Sequence, residues 1–156
     1  MASINRSLLI TLISIYLGAT IIALKFHDIL PIYGLPKGIL PNAVQSYYII
    51  PTDGTFSVQL TRPCFVTFGV QIVFYNMNII GRLSNGSVSV VSGIEEKESL
   101  SWMSVSGMDM ESGSDMLVFN VTGGLRKKFP AALFKDVPDC DSEAYTHESE
   151  SHSQSI

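Results

Sequence analysis

From residue 44 onward, apolar and polar residues alternate with a period of two. In "TFSVQL", Phe56, Val58 and Leu60 share one face while Thr55, Ser57 and Gln59 share the other, as a half-buried strand requires. The next run extends the pattern. Cys64, Val66, Phe68, Val70, Ile72 and Phe74 form an inward stripe against Thr67, Gly69 and Gln71, and Gly69 marks a bulge or bend dividing two strands. "NIIGRLS" and "SVSVVSG" flank Asn85 and Gly86, a dipeptide that predicts a hairpin with a type I′ turn. "DMLVFNVT" puts Leu117, Phe119 and Val121 inward, with Asn120 and Thr122 outward. Six or more short strands with closely spaced turns predict a mainly β fold. The expected form is a small, closed or partly closed antiparallel barrel or sandwich.

The period changes before residue 35. Phe26, Ile29, Leu30 and Tyr33 fall at helical spacing, Asp28 is placed to cap, Pro31 fits only a first turn and Gly34 can end the helix. "YGLPKGILP" at 33–41 follows as the exit. A phosphate cradle would need its glycines and lysine in the opposite order, a following Ser or Thr and a preceding strand. The stretch is therefore expected to shape the chain, with extended prolines and a turn at Gly38.

Residues 7–24, "SLLITLISIYLGATIIAL", carry no charge and follow the single basic residue Arg6. This is the layout of a signal peptide over 1–23, cleaved after Ala23, with Ala19 as a second candidate. An uncleaved anchor is the alternative, because the run falls only just short of the ~20 residues that span a bilayer. Either reading sends residues 24–140 into the secretory pathway, to the extracellular space (the apoplast) or the ER lumen. Residues 141–156, acidic and serine-rich, read as a disordered tail. Two sequons, at Asn85 and Asn120, are candidate glycosylation sites. Cys64 and Cys140 permit one disulfide in an oxidising compartment, the alternative being two separate buried thiols.

The formal charge of −4 argues against a nucleic-acid partner, which would need a broad basic face. Catalytic patterns are not met. His147 and His152 lie in the tail and His27 at the mature N-terminus, away from any nucleophile elbow. No metal or cofactor spacing is present, and "DMESGSD" at 109–115 reads as an acidic hairpin turn. Binding has better candidates. Arg126, Lys127 and Lys128 beside Phe129 suit an anionic head group or weak contact with a membrane surface. Trp102 suits a pocket mouth or the core, Phe68 a cavity lining, and Lys97 a surface ion pair or a buried base.

"GLPKGILP", the strand with Cys64, "GIEEKESLSWMSVSGM" at 93–108 and "FPAALFKDVPDC" at 129–140 together resemble DUF538, a plant family of unknown function. Glu96, Ser99, Ser101 and Ser104 depart from the apolar residues usual there. The resemblance implies a small β-barrel-like domain behind a signal peptide, with a proposed likeness to lipid-binding bactericidal/permeability-increasing modules and a proposed chlorophyll-degrading esterase activity. Three readings follow: binding of a lipid or other amphipathic molecule without catalysis, an esterase, and an interaction protein with no small ligand. A lined cavity would favour the first, a nucleophile in reach of a base the second, and a filled interior the third.

Overall fold

The apolar spacing at the N-terminus makes one turn of helix α1 (Phe26–Ile29), which tightens into a 3₁₀ turn at Leu30–Tyr33 and ends at Gly34 with φ 75°. The computed structural model describes residues 24–141, so the proposed leader and the tail beyond Asp141 lie outside the described residues. Phe26 and Leu30 are buried, and the Phe26 ring packs 5.2 Å from Tyr47 and 5.1 Å from Phe56. Asp28 does not cap this helix. Its carboxylate instead accepts from Lys37 Nζ at 3.1 Å. "LPKGILP" does shape the chain, but Gly38 lies in a second 3₁₀ turn, Lys37–Ile39, rather than at a positive φ. Close approach explains this glycine. A Cβ there would stand 2.2 Å from the Asp136 carbonyl oxygen and 2.5 Å from that of Phe134.

The alternating segments form β1 (Val44–Ile49), β2 (Thr55–Leu60), β3 (Cys64–Phe68), β4 (Gln71–Ser84), β5 (Ser87–Glu98), β6 (Ser101–Met110), β7 (Met116–Val121) and β8 (Leu125–Pro130). They build one eight-stranded antiparallel sheet in the order β1-β2-β4-β5-β6-β7-β8, with β3 paired to β4 alone. Along β4, β2 covers the half from Asn78 to Arg82 and β3 the half from Gln71 to Tyr75. The sheet curls but does not close. A third 3₁₀ turn, Ala131–Phe134, fills the gap between β3 and β8: the buried Phe134 ring lies 4.5 Å from Phe68 and 6.2 Å from Phe129. The chain then runs along the free edge of β3, where Asp141 N–H donates to the Phe65 carbonyl at 2.7 Å. Cys64 and Cys140 are joined, with Cα atoms 5.3 Å apart.

Two expectations about the hairpins change. Gly69 does divide two strands, as the first residue of a two-residue turn, with φ 61°, that pairs Phe68 with Gln71, but the single inward stripe breaks there. A turn of that length swaps parity. Cys64, Val66 and Phe68 therefore share the inner face with Val73 and Tyr75, Phe74 lies on the outer face, and Val70 is fully exposed at the tip. At Asn85 and Gly86 only the glycine has a positive φ, 69°, so the turn is not type I′, which needs two. Docking selects the alternative: Gly86 N–H donates to the Tyr33 carbonyl at 2.6 Å.

The inner face is filled by its own side chains. Phe26, Leu30, Phe56, Ile79, Ile94 and Met108 surround a void of only about 10 Å³, room for one water at most. Tyr75 is fully buried and donates to the Ile39 carbonyl at 2.9 Å, and burial pushes its phenol well above the ordinary range. Phe134→Ala is expected to lower unfolding free energy by about 3–5 kcal/mol, because it empties the seam between β3 and β8. Replacing both Cys64 and Cys140 by alanine is expected to cost about 2–4 kcal/mol. Urea unfolding followed by tryptophan fluorescence checks both.

Candidate functional site

Two hairpin tips stand side by side at the open end of the sheet. Gly69 and Val70 link β3 to β4, and Ser99 and Leu100 link β5 to β6, each as a two-residue turn between the paired residues Phe68 and Gln71 or Glu98 and Ser101. They share a backbone design. The first residue is left-handed, φ 61° at Gly69 and 53° at Ser99, and the second is an apolar side chain held out in solvent. Val70 is 100% exposed and Leu100 98%. For Ser99 the left-handed conformation costs about 1–2 kcal/mol, so the turn is kept against local preference. Gln71 Nε2 donates to the Lys97 carbonyl at 2.6 Å, which fixes one tip against the other. Leu133, 43% exposed, adds a third apolar group: its Cδ1 lies 3.8 Å from where a Cβ on Gly69 would stand.

Below the tips the inner face carries a charge cluster. Glu96 pairs across the ladders with Val73 and Met103 and is completely buried. Its Oε1 lies 2.8 Å from Lys127 Nζ in an ion pair, and beyond that pair neither carboxylate oxygen has a hydrogen-bond partner among the described residues. Lys127 also pairs with Glu98 and donates to Gln71 Oε1 at 3.2 Å. It reaches from β8 back to β5 across two intervening strands, which only a strongly curled sheet allows. Desolvation alone would lower its pKa, but the Glu96 and Glu98 carboxylates outweigh that and hold the ammonium above the ordinary lysine value.

The outer face carries Trp102, Lys97, Arg126 and Lys128. Trp102 is half-buried, its ring 5.8 Å from Phe65 and 6.1 Å from Phe74, and Lys97 Nζ stands 5.2 Å from its centroid in a cation–π contact. Arg126 donates to Asn120 Oδ1 at 3.2 Å, and Lys128 pairs with Glu111. Phe68 is buried against Phe134. The structure thus brings Trp102 and Lys97 to the tip end, turns Lys127 inward and places Phe68 in the core. Asn85 is exposed on its turn, whereas Asn120 is half-buried, donating its amide to Asp109, which also accepts from Ser87. His27, the histidine among the described residues, has Nε2 3.1 Å from the Pro41 carbonyl.

A family model described as "Protein of unknown function, DUF538" matches residues 26–135. The chain belongs to the DUF538 family. The DUF538 match takes in both tips, Trp102, Lys127 and Phe134, and it stops short of Cys140. No curated protein and no solved structure matches the chain.

Lys127→Met is expected to destabilise this DUF538 domain by about 3–5 kcal/mol, because it strands the buried Glu96 carboxylate. Adding Glu96→Leu should restore most of that loss, which separates a stranded charge from a packing defect. Because the folded-state pKa of Lys127 stands above its unfolded value, its contribution is fully present below pH ~10.5 and is lost as pH rises through the folded value. Urea unfolding of the wild type from pH 7 to 12 should show stability falling only at that alkaline end, and the double variant should lack that part of the fall.

Proposed function

We propose that this domain binds amphipathic lipid at its surface, without catalysis, in the secretory pathway or outside the cell. The observation that carries the reading is the pair of adjacent tips that hold Val70 and Leu100 fully in water. Single exposed apolar groups are ordinary, but two fully exposed ones side by side, on tips whose left-handed turns hold them out, form a patch of the kind that marks an interaction surface. The filled inner face gives a lipid chain no cavity, so binding is at the tip end and not inside the sheet. In this reading Val70, Leu100 and Leu133 enter the apolar edge of a bilayer or micelle. Trp102 and Lys97 then sit at the head-group level, where an amphipathic ring and a long-stemmed cation are both stable.

Each tip side chain contributes roughly 1.5–3 kcal/mol on transfer, before orientation costs. Contact is therefore weak and reversible, comparable to a single acyl anchor. With a net charge of −4 the chain gains little from an anionic surface as a whole, so insertion outweighs attraction. The disulfide supports residence in an oxidising compartment. Exposed Asn85 is the sequon expected to carry glycan there, ahead of the tethered Asn120.

Co-sedimentation with 100 nm phosphatidylcholine vesicles, with and without about one-third phosphatidylserine, tests the proposal. The wild type should pellet with both. Val70→Asp with Leu100→Asp should abolish pelleting while thermal unfolding stays within about 2 °C, since both residues are solvent-exposed. Absence of binding to either vesicle, or binding that survives the double variant, would turn the reading to a protein-interaction domain.

A further inference from the structure

The sheet is open, so it has free edges, and their treatment differs. β8 carries Arg126, Lys127, Lys128 and Pro130, the charges and proline that discourage strand addition. The free side of β3 is covered by the chain at Asp141, whose N–H bonds Phe65. β1 has neither protection. Its sequence, "VQSYYI", holds no charge and no proline. The N-terminal segment lies alongside it, with the Tyr47 hydroxyl donating to the Leu24 carbonyl, and a groove of about 370 Å³ lined by Leu24, Lys25, His27, Gln45, Ser46 and Tyr47 runs between them.

The hydrogen-bonding pattern says which groups are free. Ile50 N–H donates to the Thr55 carbonyl at 2.8 Å, which makes Ile50, Tyr48 and Ser46 the residues that bond β2. The main-chain groups of Tyr47 and Ile49 therefore point away from the sheet, two donors and two acceptors. Among the described residues nothing outside the sheet bonds them. The register slips at Gln45, so the regular stretch runs over residues 46–50 and is centred on Tyr48.

We propose that β1 pairs antiparallel with β1 of a second copy of this chain, about a twofold axis through Tyr48. That register is singled out by geometry. Tyr47 faces Ile49 of the other copy in a hydrogen-bonded pair, Ile49 faces its Tyr47, and all four free groups of each strand are used. Tyr48, 57% exposed, meets Tyr48 of the other copy at the close, non-hydrogen-bonded position, where an aromatic pair is favourable. Tyr47 and Ile49 lie on the inner face and Tyr48 on the outer, so each side chain meets its partner on the same face. A centre at Tyr47 would instead draw the irregular Gln45 into the ladder. A five-residue edge buries less than a standard interface, so the dimer is weak.

Sedimentation velocity on the purified protein from 5 to 500 μM checks this, with two variants at the axis. The wild type should show a monomer–dimer equilibrium in that range. Tyr48→Lys sets two ammonium groups opposite each other and should weaken the dimer at least about fivefold, with unchanged thermal unfolding. Tyr48→Cys should form a disulfide-linked dimer under air oxidation, and Ser57→Cys, its neighbour on β2, should not. A wild type that stays monomeric to 500 μM overturns the proposal. So does a dimer that Tyr48→Lys leaves intact, or one in which Tyr48→Cys fails to cross-link.

Discussion

An antiparallel sheet that curls without closing exposes a seam in its own core, and in this domain Phe134 is what fills that seam. The ring sits between Phe68 on β3 and Phe129 on β8, two strands that share no ladder. Other features follow from keeping it there. Gly38 lacks a side chain because the Phe134 and Asp136 carbonyls press against it. Asn42 N–H donates to the Pro138 carbonyl at 2.8 Å, Asp141 bonds Phe65, and the disulfide fixes Cys140 to the strand whose edge would otherwise be bare. The sequence interval from Cys64 to Cys140 is 76 residues, so the bond removes much freedom from the unfolded chain as it ties down the seam.

A filled seam is why the binding proposed above is placed at the surface. With the inner face packed by Phe26, Leu30 and the strand residues, an internal ligand would have to displace well-packed side chains. The buried carboxylate among the described residues, Glu96, is matched by a lysine from the far end of the sheet. Such a pair adds little net stability compared with apolar residues of the same size, but mispairing it is expensive. Its effect is to specify how far the sheet curls, since Lys127 meets Glu96 only when β8 comes round to β5. That curl also brings the seam to the width that Phe134 spans.

Much of this was legible in the sequence, and the limits are physical. Strand type, the N-terminal helix, the disulfide partners and the family were all readable, because period, spacing and cysteine number act locally or leave one choice. The inward run through Phe74 was misread for one reason. Alternation looks continuous through a two-residue turn, while the turn reverses the chain and exchanges the faces. Had Gly69 been read as a turn, Val70 would have stood out as exposed. Leu100 gave no such signal, since Ser99 is not a residue that announces a left-handed turn. Glu96 gave only its departure from the apolar residues usual in the family, and its partner lies 31 positions on, counted from the numbering of Glu96 and Lys127, beyond any local pattern.

The two ends of the long hairpin differ because β4 serves two partners in turn. Its pairing passes from β3 to β2 between Tyr75 and Asn78, and β5 follows the same kink with Gly93, where a Cβ would stand 2.3 Å from the Asn78 carbonyl oxygen. Above the kink the hairpin ends at Gly86, bonded to Tyr33 and so covered by the N-terminal turns. Below it the strand begins at Gln71, beside a tip that leaves Val70 fully exposed. A uniform barrel would have closed both ends alike. Splitting one strand between two neighbours leaves β1 bordering the sheet at one end and Val70 standing beyond it at the other, so both exposed features follow from the kink at residues 76–78 of β4.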